Sequence, residues 1–262
     1  KINLNGRVKW NDGFDHRLGE YSDGAGVKTG DEVLLRGGPI TDLNYEIGGD
    51  VEFATEPKLN TKIIGLYRTG NDSNDSSIEA ARFAQPVTLF ETRSRLKPSE
   101  AVGRIQNDWS GIGGHAIQFG GEVAYNRLDA RFSAASTSAG TVTNFPPSDV
   151  LVEETRVEPF LTDVWTVSPK WKIEAGVVAE FSKLTLSGDS TAARSFKFIK
   201  PRAIATWTLT PKTTLEFRAE RQVSQLDFGE FATSIDVAVG NQVDAGNADL
   251  VPEKVTALSA LI

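Results

Sequence analysis

The side chains that could do chemistry in this chain are few, and their spacing does not bring them together. There are two histidines, His16 and His115, and no cysteine among 262 residues, so disulfides, thiol nucleophiles and cysteine zinc sites are excluded by composition. His16 has Asp12 and Asp15 nearby, which are donors of the right type for a divalent cation. Their spacing matches no metal-ligand pattern, however, and the surrounding residues read as a turn. His115 follows Gly113-Gly114 and reads as an interfacial or solvated residue beside a turn. No nucleophile elbow, phosphate loop or paired-histidine metalloprotease motif occurs. Glu174 with Glu180, and Glu216 with Glu220, are the best candidates for acid–base pairs. Each pair falls on one parity of an alternating run, so the carboxylates are expected to form the wall of one strand face. Arg218 between Glu216 and Glu220, and Arg127 and Arg131 around Asp129, would then make rows of opposite charge. No catalytic residue, cofactor or metal is expected.

The elements that carry these residues are strands. Side chains of a strand point alternately to its two faces, so a period of two in polarity marks a half-buried strand. In residues 43–53 the odd positions are Leu43, Tyr45, Ile47, Gly49, Val51 and Phe53, and the even positions include Asn44, Glu46, Asp50 and Glu52. Ile173, Val177 and Phe181 alternate in the same way with Glu174 and Glu180, and Leu215 and Phe217 with Glu216 and Arg218. Between residues 117 and 132 the apolar parity changes near Asn126, from Ile117, Phe119, Val123 and Tyr125 to Leu128, Ala130 and Phe132. Such a change predicts a bulge or irregularity.

Connections alternate between short and long. Short turns are expected at 55–59, 109–114, 168–171 and 210–213, three of them built on Pro57-Lys58, Pro169-Lys170 and Pro211-Lys212. Proline pre-sets a turn and cannot continue a central strand. Long polar loops are expected at 69–86, 136–149, 187–194 and 228–252. The strands between them are expected near 2–10, 41–54, 60–67, 87–107, 115–135, 151–167, 172–186, 195–209 and 214–226, with a tenth starting at Glu253. Trp109, Trp165, Trp171 and Trp207 all lie close to short turns, where an interfacial aromatic belt would sit.

Short turns on one side and long loops on the other are the signature of an outer-membrane barrel. No run of about 18 apolar residues exists, so no ordinary membrane helix is expected. A net charge of -7 and a pI near 5.0 argue against nucleic acid as a partner. On this reading Glu46, Asp50, Glu180, Glu216 and Arg218 face the lumen, and Ile47, Val51, Phe53, Ile173, Val177, Leu215 and Phe217 face lipid.

At Gly246-Asn247-Ala248-Asp249-Leu250-Val251-Pro252-Glu253, preceded by Gln225-Leu226-Asp227-Phe228-Gly229-Glu230-Phe231, the chain resembles the late-barrel signature of TonB-dependent receptors. That signature is approximately Gly-Asn-Pro-x-Leu-x-Pro-Glu; Ala248 departs from its first proline, and the other positions match. The motif residues Asn247, Asp249, Leu250, Pro252 and Glu253 are expected to order a loop and start a strand. The resemblance implies an all-β, antiparallel, up-and-down transmembrane β-barrel of 22 strands, filled by a plug, in the outer membrane of a Gram-negative bacterium. It also implies uptake energised by TonB. Neither a plug nor a TonB box is recognisable, and Arg36-Gly37-Gly38 reads as loop. Residues 1–262 are therefore expected to be a partial span of the barrel, with more strands beyond Ile262. The implied function is active transport of a scarce nutrient such as a ferric chelate, cobalamin or a glycan. The competing readings are a passive porin-like channel and a soluble β-sandwich that binds ligands.

Overall fold

The structure is a computed structural model that describes residues 1–81, 86–231, 234–236, 242–244, 246–247 and 249–262. Ten long strands follow one another: β1 (Ile2–Ser22), β2 (Lys28–Glu56), β3 (Leu59–Ala81), β4 (Thr88–Trp109), β5 (His115–Ser138), then, after the short β6 (Thr141–Asn144), β7 (Ser148–Ser168), β8 (Trp171–Gly188), β9 (Ala192–Thr210), β10 (Thr213–Val223) and finally β13 (Lys254–Leu261). Between β10 and β13 lie a 3-10 turn, η1 (Phe228–Phe231), and a two-stranded ribbon of β11 (Ser234–Asp236) and β12 (Gln242–Asp244). The main sheet has eleven strands in the order β1-β2-β3-β4-β5-β7-β8-β9-β10-β13, with β6 alongside β5. The long strands pair antiparallel with their neighbours, which is the up-and-down arrangement expected from the alternating turns.

Turn chemistry sets the lower end. Lys58, after Pro57, has φ 70°, the conformation a type II turn needs at its third position. At the other two Pro-Lys turns a hydroxyl two residues back closes the bend: Ser168 Oγ accepts from Lys170 N at 3.3 Å and Thr210 Oγ1 from Lys212 N at 3.2 Å. At the upper end Gly188 closes β8 with φ 104°. A Cβ there would lie 2.0 Å from the Asp149 carbonyl oxygen, so only glycine fits.

The upper halves of the strands are longer than the sequence suggests. Residues 69–81, expected as loop, belong to β3 and pair on both sides; Asn74, for example, faces Ile40 of β2 and Ser94 of β4. Residues 11–22 and 28–40 extend β1 and β2, so Arg36-Gly37-Gly38 lies in a strand, with the ladder shifting register between Gly37 and Ile40. The expected loop at 187–194 shrinks to residues 189–191, and the one at 136–149 is partly taken up by β6. The reason is common to all of these segments. Backbone ladders continue as long as a neighbouring strand is present, and they outweigh the low strand propensity of Gly, Asn, Asp and Ser.

The bulge expected near Asn126 is not there. Asn126 faces Glu100 on one side and Glu154 on the other, and both ladders run through it in register. What changes is the destination of the apolar side chains. Val123 and Tyr125 point to the outer face, while Leu128 and Ala130 point inward and are buried.

Candidate functional site on the inner wall

Register divides the sheet into two faces with different chemistry. One carries Ile47, Val51, Phe53, Ile63, Tyr67, Ile105, Phe119, Val123, Val157, Leu161, Val177, Phe181, Ile199 and Phe217, all left exposed. It is bounded below by Trp109, Trp165, Trp171 and Trp207, the last two stacked with ring centroids 5.2 Å apart. It is bounded above by Tyr45, Tyr67 and Tyr125. Trp109 faces Ile117, and eight residues further up the same pair of strands Ala101 faces Tyr125. At ~3.3 Å per residue this band runs about 26 Å along the strands, roughly 20 Å in height at the ~35–45° tilt of a membrane barrel's strands, and its nine residues from Ala101 to Trp109 match the ~9–11 that a tilted strand needs to cross a bilayer. Above the tyrosines the same face turns charged. Arg131 Nε lies 3.2 Å from Asp129 Oδ1 and Arg127 Nη2 4.0 Å from Asp129 Oδ2, so this expected row of charges forms, on the outer face.

His115 and Asp163 share the tryptophan end of the outer face. Nδ1 of His115 is 2.7 Å from Asp163 Oδ2, and the imidazole stacks on Trp165 at 5.3 Å. His16 pairs with Arg36 in the β1–β2 ladder. Among the described residues no group of three or more His, Asp or Glu is placed to hold a metal ion.

The opposite face is concave, since Arg7 of β1 and Gln225, beyond β10, line the same cavity of about 550 Å³. Its charges form a chain across neighbouring strands. Arg104 of β4 meets Glu122 of β5 at 3.5 Å, Glu122 meets Arg156 of β7 at 3.9 Å, and Arg156 meets Glu158 at 3.4 Å. Glu158 then pairs with Lys200 of β9, which reaches Glu180 of β8 at 2.8 Å. Arg156 and Glu180 are buried, and burying charge is tolerable only with such partners.

The residues expected on a lumen face all lie on this wall. Glu46 is 3.7 Å from Arg7; Asp50 accepts from Asn3 at 3.0 Å and sits 3.5 Å from Lys62. Glu180 binds Lys200 as above, and Glu216 lies 3.4 Å from Arg218. Glu174 pairs with Arg202 at 3.4 Å, while Glu220 accepts from Gln222 at 2.8 Å. None of the carboxylate pairs considered for acid–base work is joined carboxylate to carboxylate; each group meets a donor instead.

Higher up, two carboxylates are displaced from their ordinary range in opposite senses. The Arg95 guanidinium, at 2.6 Å, holds Asp75 low against the opposing effect of burial. Burial pushes Asp72 up, with the Asn44 hydrogen bond opposing it. The Asp75–Arg95 pair, on the outer face because Arg95 faces Arg131 across β4 and β5, therefore stabilises the upper ends of β3 and β4 above the ordinary carboxylate range. That contribution fades as pH falls through the lowered value. Hydrogen exchange across β3 and β4 is expected to accelerate only on acidification below that range, and Asp75→Asn should remove this dependence. An unchanged acid profile in the variant would refute the assignment.

An apolar patch interrupts the polar wall, which the sequence reading missed. Leu128, Ala130, Val150, Val152, Leu184 and Leu186 form a buried cluster with Phe231 of η1; Leu226, Phe228 and Leu250 pack against it. The segment after β10, expected as an outward loop, thus begins by crossing the inner wall. The available signal was the parity change at Leu128 and Ala130, which marks an inner surface that something apolar must cover. The signature residues serve the return leg. Asn247 N donates to Glu230 O at 2.9 Å, and Asn247 Oδ1 accepts from Asp249 N at 2.9 Å. Asp249 pairs with Arg194, Leu250 joins the cluster, Pro252 is buried, and the Glu253 carbonyl accepts from Ser224 N at 3.0 Å. Ala248 lies outside the described residues.

Comparison with known proteins agrees with this geometry. Curated proteins give no match. Among solved structures, the copper transporter OprC superposes with a TM-score of 0.52 at 14% identity, covering 98% of this chain and 46% of that one. The siderophore receptor PiuA from Acinetobacter baumannii gives 0.48 at 9%, covering 98% and 53%. The ferric citrate transporter FecA gives 0.44 at 11%, covering 98% and 48%. The chain thus spans about half the length of the structures it resembles. The model for the TonB dependent receptor-like, beta-barrel family matches residues 2–260, and the chain belongs to that family.

Proposed function

We propose that residues 1–262 are the barrel portion of an outer-membrane receptor that takes up a scarce nutrient, a ferric chelate, cobalamin or a glycan, with energy delivered by TonB. The observation that carries this reading is the contrast between the faces. An apolar band long enough for tilted strands to cross a membrane, edged by tryptophan and tyrosine, backs onto a wall of ion pairs. A soluble sandwich would bury its apolar face and wet the other; here the apolar face is the exposed one. Glu46, Asp50, Glu180, Glu216 and Arg218 then face the lumen, and the outer band faces lipid. A plug and TonB are the partners this reading requires, and the outer membrane is the location. Further strands would close the sheet, because among the described residues β1 and β13 each pair on one side only in the main sheet and an open edge in lipid leaves backbone groups unsatisfied.

The test is uptake by cells carrying the full-length protein, with and without a working TonB, on limiting ferric chelates, cobalamin and glycans in turn. Uptake of one of these that disappears without TonB is the expected result. Uptake that persists without TonB would instead assign a passive channel.

A further inference from the structure

The turn of chain just after β10 is held down on the inner wall at separate points along its length. Gln225 lies against the Arg156 guanidinium, and its amide oxygen faces those donors once the amide is oriented by its neighbours. Asp227 Oδ1 accepts from Gly229 N at 2.8 Å and shapes the bend. Phe231 is only 2% exposed, in the same apolar cluster as Val152 and Leu184, both at 0%. Gln225, Leu226 and Phe228 also roof the cavity whose opposite side is built by β1 and β2. Leu128 belongs both to that cavity and to the cluster. The roof and the apolar contact are therefore one device.

We propose that residues 225–231 are an inner strap that rests closed, with Phe231 as its anchor, and that lifts as a unit to open the cavity roof and uncover Leu128, Val152 and Leu184. The inference rests on the concave face being a lumen. The reasoning is about balance. A wet, ion-paired wall offers little hold to a loop, whereas the apolar cluster that Phe231, Leu226 and Phe228 join, together with Leu250, supplies a resting place. The strap is a short irregular segment, whereas the wall is a continuous ladder, so the strap is the part that moves. It is tied at both ends, by Ser224 to Glu253 and by Glu230 to Asn247. It should therefore return to the same position after lifting.

Residues 1–262 carry no cysteine, so with any cysteine outside them replaced by serine the full-length protein permits a direct test on intact cells. Leu184→Cys is introduced beneath the strap and, separately, Ala25→Cys at the exposed tip between β1 and β2; both are reacted with a membrane-impermeant maleimide. Ala25→Cys is expected to label at once. Leu184→Cys is expected to label slowly but to completion, and to label at least about tenfold faster when Phe231→Ala is added, a factor equivalent to ~1.4 kcal/mol. Gln225→Ala, which leaves the cluster intact, should give a smaller acceleration and covers the case in which Phe231→Ala fails to assemble. A Leu184→Cys thiol that never reacts would make the strap a fixed lining. One that reacts as fast as Ala25→Cys would mean no cover at all. An unchanged rate with Phe231→Ala, or with Gln225→Ala where only that variant assembles, would remove the anchoring role. Failure of Ala25→Cys itself to label would count against the outer-membrane reading instead.

Discussion

Arginine in place of Val177 is expected to leave little folded protein in the outer membrane, whereas glutamine in place of Glu180 should assemble. The two positions lie three residues apart on β8 and therefore on opposite faces. Val177 stands in the middle of the apolar band between Leu161 and Pro201 in the cross-strand row. An arginine at the middle of that band costs about 2–4 kcal/mol in a membrane barrel, a large share of a typical folding free energy of ~5–15 kcal/mol. Glu180 faces Lys200 at 2.8 Å, and glutamine keeps an acceptor there. Glu180→Arg would be a poor comparison, because it sets a second cation against Lys200. Folded, membrane-extracted protein should be compared for Val177→Arg, Val177→Ala and Glu180→Gln. Equal yields of Val177→Arg and Val177→Ala would sink the assignment of the outer face to lipid.

Replacing Lys200 by methionine is expected to be more damaging than replacing either of its partners. Lys200 sits between Glu158 and Glu180, whose side chains are only 15% and 9% exposed. Without the ammonium, two poorly hydrated carboxylates from adjoining strands are left with less compensation. Removing one partner of a buried pair typically costs ~3–5 kcal/mol. Glu158 would still meet Arg156 at 3.4 Å, so Glu180 loses more than Glu158 does. Adding Glu180→Gln to Lys200→Met should then recover much of the loss, measured as the denaturant midpoint of the refolded full-length barrel. If the double variant is as unstable as the sum of the single ones, the three groups do not act as a coupled set.

The lower half of the fold was legible because two independent constraints coincide there. The Pro-Lys turns fix where β3, β8 and β10 start, and alternation in runs such as Ile173 to Phe181 fixes which side chains share a face. Both rules depend on neighbours close in sequence. The upper half obeys a rule that no single segment carries. Residues 69–81, with Asn71, Asp72, Ser73 and Asn74, have the composition of a loop and become strand because β2 and β4 continue on either side. The parity change in β5 was visible but assigned the wrong cause. A backbone irregularity and a switch in which face is apolar look identical in one strand, and only Val152 and Leu184 on the adjoining strands, together with Phe231, distinguish them. The strap was illegible for the same reason, since Phe228 and Phe231 announce an apolar contact without naming its partner.

Because β1 to β5 and β7 to β10 each bond only to the strand before and after them in the chain, apart from the small β6 and the β11–β12 ribbon between β10 and β13, the wall behaves as a row of interchangeable hairpins. Excising one whole hairpin would bring together two strands of the right polarity and leave every other side chain on its original face. Excising a single strand would make two parallel strands meet and could not be repaired locally. A lineage built on this plan should therefore change circumference in steps of two strands. Those steps would be tolerated least across β7 to β9, where one excision would sever both the Arg156–Glu158–Lys200–Glu180 chain and the seat of Phe231.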